Sequence, residues 1–244
     1  MSHGSAAALL LLAAAPAAAV EPVEIERVVA VIRSPAAPAP RVITLSRLEE
    51  ETRVALVSRG APAAATAPID ATALAAGLQW VVDETLLMDE AARLQVYEVD
   101  AGEAAAELAR FRSRFASRSA FEAFLARTSM SEKEVEAILI RSLRVRRYVD
   151  SRVSHVAQVS EGDVTAWLDE HAAELGTRDR EVARARLVER RVAAEVKALV
   201  RDVRARADVR VLADFGPAGA AADGELPVVP GDDGRRVTRR ADVG

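Results

Sequence analysis

A succession of helix start signals, each followed by apolar residues at helical spacing, constrains this chain to a mainly helical fold. Asp70, Ser131 and Ser160 are small polar residues of the kind that caps a helix N-terminus. After Ser131 and Ser160, an acidic residue three positions later completes a capping box. The segment after Asp70 is apolar over well more than half of a helical circumference, so we expect this helix at the centre of the core.

The apolar periodicity predicts seven helices along the chain. They are expected over residues 46–60, 70–94, 101–115, 119–127, 131–155, 160–176 and 178–207. Ser46, with Glu49 three residues later, is the expected cap of the first helix. An Ala- and Pro-rich stretch, 61–68, is a predicted linker between the first two helices.

Predicted strands lie at the two ends of this helical run. Residues 27–33 and 41–44 are rich in β-branched side chains and are joined by a proline-rich loop, which predicts a hairpin. Residues 208–212 alternate between polar and apolar, as a half-buried strand does. Because a lone strand would leave its backbone groups unpaired, we expect this strand to pair with the hairpin. The predicted fold class is mainly α: a multi-helix module closed by a small β-sheet that joins the N-terminal hairpin to the C-terminal strand.

The two termini differ in composition from the predicted module, which spans 20–213. An apolar run in the first twenty residues ends in three small residues, Ala17, Ala18 and Ala19, which form a typical cleavage site for export. The run is shorter than the roughly 20 residues of a membrane-spanning helix. Residues 1–19 are therefore a predicted signal peptide, the alternative being an Ala-rich disordered start. Residues 214–244 lack periodicity and are a predicted disordered tail.

Composition and motifs exclude several classes of function. The formal net charge is −4, which favours neither nucleic acid nor an anionic membrane as a partner. The chain has no cysteine, which excludes disulfides and thiol chemistry. Its three histidines lack neighbours at metal-ligand spacing, and the chain has no phosphate-binding loop and no serine nucleophile motif. We therefore expect no catalytic residues, no cofactor and no metal.

Charge is segregated along the predicted helices. Residues 110–152 hold eleven basic and five acidic residues, whereas residues 46–107 hold four basic and twelve acidic ones. One interpretation is that these helices pair with one another inside the module or present solvated faces. The other is that the basic span forms a surface for a client protein or a lipid headgroup.

Four of the five phenylalanines fall in the same basic span. Phe111 and Phe115 are four residues apart, and Phe121 and Phe124 are three apart, so each pair shares a helix face. Such rings form either part of the core or a partly open aromatic groove with an arginine rim. The groove would hold extended segments without sequence specificity. Its candidate client-binding residues are Phe111, Phe115, Phe121, Phe124, Leu125, Arg114, Arg118 and Tyr148.

The chain combines an N-terminal strand pair, a helical module and a closing long helix and strand. The positions that carry this pattern are apolar and capping residues at 28–32, Ile43, Thr44, Ser46, 86–92, 98–100, 160–164 and 207–211. In this order of elements the chain resembles the N-terminal domain of the SurA family of periplasmic chaperones, over about residues 28 to 212. Many relatives insert a parvulin-type prolyl isomerase domain before the closing helix, but here only Gly176 and Thr177 stand there.

The resemblance implies an ATP-independent chaperone or holdase that binds unfolded or partly folded exported proteins, outer-membrane proteins among them, in the periplasm. It implies no enzymatic activity, because the parvulin domain is missing. We also expect no nucleic-acid partner and no integral membrane segment after removal of the signal peptide. Two alternatives stay open: an envelope scaffold or adaptor protein, and a peptidyl-prolyl isomerase.

Overall fold

A computed structural model of the chain describes residues 26–94, 97–175 and 179–216. These residues form a mainly helical fold with one small antiparallel sheet, which confirms the predicted fold class. The predicted signal peptide, 1–19, and residues 217–244 of the predicted tail lie outside the described residues.

Each predicted helix and strand is present, within a few residues of its predicted bounds. The strands are β1 (Val28–Arg33), β2 (Arg41–Thr44) and β3 (Asp208–Val211). The helices are α1 (Leu45–Ser58), α2 (Ala71–Leu94), α3 (Ala101–Arg112), α4 (Arg118–Thr128), α5 (Glu132–Val153), α6 (Glu161–Leu175) and α7 (Arg180–Arg206). The predicted linker contains a short 3-10 turn at Pro62–Ala65.

The sheet has the strand order β2-β1-β3, and both outer strands run antiparallel to β1. Val209 lies opposite Ile32 and Val211 lies opposite Ala30, which confirms the predicted pairing of the last strand with the N-terminal hairpin. A β-bulge between Val28 and Ala30 interrupts the pairing of β1 with β2. The two ends of the described chain therefore meet as neighbouring strands.

Three of the predicted helix caps are confirmed. The Asp70 carboxylate accepts a 2.7 Å hydrogen bond from the backbone N–H of Ala73 in the first turn of α2. The Ser131 and Ser160 hydroxyl oxygens accept from backbone N–H groups three residues later, and the acidic side chains there accept from the backbone of the caps. These caps satisfy amides that have no partner inside the helix.

The start of α1 differs from the prediction. Thr44 caps this helix, because its hydroxyl oxygen accepts from the backbone N–H of Arg47 at 3.4 Å. Ser46, the predicted cap, lies inside the helix and donates a 2.5 Å hydrogen bond to the Glu26 carboxylate. The prediction of Ser46 is wrong because β2 runs directly into α1, so the last extended residue comes two positions earlier.

The main hydrophobic core is built around α2, as the apolar circumference of this helix predicts. Most side chains of α2 are buried, among those of β1, β2, α5 and α7. The predicted apolar stripe of α7 packs against the same core through Val192, Val196, Leu199 and Val203. The closing helix and strand are therefore part of the core.

Two smaller clusters flank the main core. The second cluster joins α3, α4 and the start of α5 to α1, and it contains the predicted phenylalanines. The third lies between α6 and the first turns of α7, where Val164, Leu168 and Ala183 are buried together. We call α6 together with residues 180–191 the α6–α7 arm, because its cluster is separate from the main core.

Helices α1 and α2 approach each other closely at Gly77. A Cβ atom at this position would lie 2.1 Å from the Thr52 Oγ1 atom and 2.9 Å from the Thr52 Cγ2 atom. Thr52 is itself buried, so its side chain has little room to move away. The missing side chain at Gly77 is therefore what allows the observed separation of the two helices.

Candidate functional site

The four predicted phenylalanines form one aromatic cluster. Phe111, Phe121 and Phe124 are buried, and Phe115 is half-buried beside them. The ring centroid of Phe124 lies 5.7 Å from that of Phe111 and 5.3 Å from that of Phe115, with inclined ring planes. Of the two interpretations of these residues, the structure shows core packing for the three buried rings.

The other candidates do not complete an open groove around this cluster. Leu125 is half-buried at its edge, and Arg114 and Arg118 are exposed. Tyr148 lies apart from them in the main core, where its ring centroid is 5.8 Å from that of Tyr97. The physical reason is that a chain poor in aromatic residues gains most by burying the rings that it has.

Exposed apolar side chains concentrate instead at the sheet. Within the described ranges, six large apolar side chains are exposed by more than a third, and two of them, Leu94 and Val182, lie on helices. The other four belong to the strands or directly follow them: Val28, Val42, Val211 and Leu212. Their exposed fractions range from 39% to 60%.

The strand register shows which of these side chains share a face. Ile32 is buried in the main core, so its neighbour Val31 points to the opposite, outer face. Val42 and Arg210 lie opposite Val31 on the neighbouring strands and therefore share that face. Alternation along the last strand places Leu212 there as well. We call Val31, Val42 and Leu212 the outer sheet patch, in which Val42 is 45% and Leu212 60% exposed.

Sequence reasoning missed the outer sheet patch, although one signal for it exists. Residues 28–32 are apolar without interruption, a pattern typical of a strand that is covered on both faces. The described part of the chain buries Ala30 and Ile32 on the inner face but leaves Val42 and Leu212 exposed on the outer one. The unbroken apolar run therefore signals that the outer face of β1 is apolar as well as the inner one.

Four carboxylates of α2 form a network of ion pairs with arginines from other elements. The pairs are Asp83 with Arg204, Glu84 with Arg141, Asp89 with Arg41, and Glu90 with Arg206. Three of these carboxylates are buried, and burial raises the pKa of the fourth, Asp83, against the opposing hydrogen bond and charge of Arg204. The network ties the central helix to β2, α5 and α7.

Arg141 is the least exposed arginine of this network. Its guanidinium nitrogens are 2.8 Å from Glu51 Oε2 and 3.4 Å from Glu84 Oε2. The Ser142 hydroxyl also donates a hydrogen bond to Glu84. Burial raises the pKa of Glu84, and the positive charge of Arg141 acts against this rise. Both carboxylates are held by partners inside the protein, as in a structural ion pair rather than a general acid or base.

The basic span and the acidic span pair with each other, as one of the two interpretations of the charge pattern proposes. Arg144 lies 3.0 Å from the Glu98 carboxylate, and Arg147 forms an ion pair with Glu103. With Arg141, three basic residues of α5 thus form ion pairs with acidic partners on α1, α2, α3 and the chain leading into α3. Three of the six basic residues of α5 therefore join this helix to other elements.

The described histidines lie outside any arrangement that suggests catalysis. The ring of His171 stacks on that of Trp167, with 4.6 Å between the centroids, and His155 is exposed. Over residues 26–94, 97–175 and 179–216, no group of three or more His, Asp or Glu side chains is placed to hold a metal ion. Over the same ranges, no helix has both the length and the hydropathy needed to cross a membrane.

No protein-family model matches the chain, and no curated protein matches it. The function proposed below therefore rests on the contacts just described and on the resemblance in the order of elements.

Proposed function

We propose that this chain is an ATP-independent chaperone that holds unfolded or partly folded exported proteins in the periplasm, without prolyl isomerase activity. The observation that supports this function best is the outer sheet patch. It combines an apolar strand with exposed neighbours, Val42 and Leu212, at the edge of a well-packed core. The free energy of such a surface falls when an unfolded apolar segment covers it.

The chemistry of the patch suits clients of different sequence. Its contacts are hydrophobic and therefore non-directional, so they do not select one client. At its border, Arg33 and Arg210 both pair with Asp208, at 3.4 Å and 3.2 Å, which gives it a polar rim. A small patch binds weakly, and weak binding lets a client leave when its own folding competes.

Export of the chain is proposed from the signal peptide predicted at 1–19. N-terminal sequencing of the protein from a periplasmic fraction checks this part of the proposal, with a start near Glu21 as the expected result. A protein that begins at Met1 and fractionates with the cytoplasm would contradict it.

An envelope scaffold or adaptor is the second candidate function. The α6–α7 arm favours it, because its separate cluster and the exposed Val182 provide a fixed surface away from the sheet. The two functions differ in the number and state of their partners. A holdase suppresses the aggregation of several unrelated proteins, whereas an adaptor binds one folded partner.

Aggregation suppression tests the proposal. Three unrelated denatured proteins are diluted into buffer with the purified chain, and light scattering follows their aggregation. The wild type is expected to suppress scattering for all three. Val42→Ser/Leu212→Ser is expected to lose most of this effect, because both changes make the patch polar. Val182→Ser removes a similarly exposed valine from the arm and is the matched control, which we expect to act as the wild type.

Three results would each contradict a part of this proposal. Suppression of no client, together with binding of one folded partner, would favour the scaffold. Equal loss of suppression in the patch variant and in Val182→Ser would show that the patch is not the binding surface. Thermal unfolding of each variant is measured alongside, so that a loss of fold is recognised. Catalysis of isomerisation in a proline peptide would contradict the absence of isomerase activity.

A further inference from the structure

The free edge of β3 presents backbone hydrogen-bonding groups to solvent. In the order β2-β1-β3, β3 is an end strand of the described sheet. The backbone N–H of Leu212 donates to the Val29 carbonyl at 2.8 Å, so Leu212 directs its backbone groups toward β1. Because this direction alternates along a strand, the N–H and C=O groups of Val209 and Val211 point away from β1, toward the free edge.

We propose that β3 binds an extended segment of the client as a fourth strand of the sheet. This inference rests on the proposed function and names how the client is held. Backbone hydrogen bonds with Val209 and Val211 give an affinity that is independent of the client's sequence, as strand addition does in other recognition systems. The added strand lies about 4.8 Å from β3 and next to the outer sheet patch.

The other edge of the sheet offers fewer groups. Val29 and Val31 direct their backbone groups toward β3, so Ala30 and Ile32 direct theirs toward Ile43 and Arg41 of β2. The residues of β2 whose backbone groups point outward are therefore Val42 and Thr44. Thr44 is the N-cap of α1, and its carbonyl belongs to the first turn of that helix. Pro40, directly before the strand, has no N–H. Only Val42 is therefore left for an added strand at this edge, whereas β3 offers two residues.

Side chains along β3 indicate a client strand with alternating polarity. Val209 and the 49% exposed Val211 lie on the core side, opposite Ile32 and Ala30. Arg210 lies on the outer side and is exposed. A bound strand places every second side chain beside the two valines, where apolar groups extend the core, and the others on the side of Arg210. Strands of outer-membrane barrels alternate between apolar and polar residues with this period.

Peptides with blocked backbone positions test this inference. The probe is a fluorescein-labelled peptide of about ten residues in which valine and threonine alternate, and fluorescence anisotropy measures its binding to the full-length protein. Val209 and Val211 would each form a hydrogen-bonded pair with the peptide residue directly opposite, and the side chains of such a pair lie on the same face of the sheet. The peptide valines, which pack beside Val209 and Val211, are therefore the residues whose N–H groups point at β3. N-methylation of the valines is therefore expected to weaken binding at least about tenfold, and N-methylation of the threonines to leave it nearly unchanged.

A pair of protein variants locates the binding edge. Val211→Pro removes an N–H at the free edge of β3, a place where a strand tolerates proline. Ala71→Pro also removes one backbone N–H, at the exposed first position of α2, where a helix tolerates proline, and is the control outside the proposed binding surface. Binding of the unmodified peptide is expected to fall about tenfold in Val211→Pro and to stay within about twofold in Ala71→Pro.

The outcomes separate this inference from the proposed function. If the wild type suppresses aggregation but all three peptides bind equally, or Val211→Pro suppresses as the wild type does, strand addition at β3 is overturned and the chaperone proposal stands. If the wild type suppresses no aggregation, the proposed function itself fails. A wild-type dimer that Val211→Pro dissociates, without peptide binding, would assign the edge to a second copy of the chain. Peptide binding only by a chain that ends at Gly216 would assign it to the segment after that residue.

Discussion

Arg141 shows why a buried helix of this chain can carry so many acids. The guanidinium keeps its charge when buried, and here it serves Glu51 and Glu84 at once. Taking such groups out of water is costly, so the pairing offsets a penalty more than it adds stability. The consequence is asymmetric: removing one partner leaves the others charged and buried without compensation.

Replacing Arg141 by methionine is therefore expected to lower the free energy of unfolding by about 3 to 5 kcal/mol. Urea-induced unfolding followed by circular dichroism measures the change. Arg118→Met, which breaks an exposed pair with Glu122 on one helix, is the control and is expected to have no measurable effect. A similar loss of stability in both variants would show that the burial of an ion pair does not determine how much the pair contributes to the free energy of unfolding.

Gly77 is the position where one added methyl group should matter most. Gly77→Ala forces Thr52 and the two helices apart, which is expected to lower the free energy of unfolding by about 1 to 3 kcal/mol. The gain in helix propensity, about 1 kcal/mol, offsets part of this loss. Gly162→Ala on α6 is the control, because the nearest atom to its Cβ, Ser160 Oγ, is 3.7 Å away.

A double variant makes the test for this close approach specific. Thr52→Ala removes both atoms nearest to the new methyl group, so Gly77→Ala/Thr52→Ala is expected to be more stable than the sum of the single changes predicts. Strict additivity in thermal unfolding would mean that the two residues are not coupled.

Among the elements, the α6–α7 arm is joined by ion pairs as well as by its small apolar cluster. Hydrogen bonds from Arg191 and then from Ser160 hold the pKa of Asp163 well below its usual range. Arg180 and Arg184 lower the pKa of Glu161 in the same way. These ion pairs, together with the small apolar cluster, join α6 to α7, and they require the two carboxylates to be ionised.

Acid is therefore expected to open the arm before the main core. A carboxyl whose pKa is lower when folded than when unfolded contributes stability above its unfolded pKa of about 4 and loses it as the pH falls toward the folded value. Asp83 and Glu84, whose pKa values are raised in the folded protein, have the opposite effect on stability. The stability of the main core rises as the pH falls and these two groups are protonated.

The chain's two tryptophans report on these two regions separately, since Trp80 lies in the main core and Trp167 in the arm. In Trp80→Phe, the fluorescence of Trp167 is expected to change between about pH 4 and pH 2. In Trp167→Phe, the fluorescence of Trp80 is expected to change only at lower pH. Simultaneous transitions would show that arm and core unfold as one unit.

At the same scale, helix boundaries could be predicted from the sequence because their causes are local. The caps at Asp70, Ser131 and Ser160 need only residues within one turn. The cap of α1 could not, because the length of β2 decides between Thr44 and Ser46 and depends on pairing with β1. The segregation of charge predicted pairing between helices, but the choice of Glu51 and Glu84 for Arg141 follows from tertiary packing.

For the whole molecule, the topology of the sheet was predictable and the candidate surface was not. The late strand needed a partner, and the hairpin was available. The apolar run at 28–32 signals a strand with two apolar faces, but which face remains exposed depends on where α2, α5 and α7 pack. The choice between a core and a groove for the four phenylalanines stayed open in the sequence for the same reason, because periodicity tells which rings share a face but not what lies against it.

Truncation tests how far the closing segment holds the molecule together. A chain that ends at residue 177 lacks α7 and β3, so it exposes part of the main core and unpairs one side of β1. We expect a loss of several kcal/mol of stability, measured by thermal unfolding. A chain that ends at Gly216 keeps all the described contacts and is expected to unfold as the full chain does. Equal unfolding temperatures for both truncations would contradict the topology.

The pairing of β1 with β3 also determines when the molecule can be completed during synthesis. Arg33 and Asp208 form an ion pair across 175 positions of sequence, and closing a loop of that length costs about 4 to 5 kcal/mol in entropy. During synthesis β1 leaves the ribosome early, because it lies near the start of the described residues, and β3 leaves it late, because it lies near their end. A growing chain therefore has no complete sheet until β3 has emerged, and it stays only partly folded for most of its own production.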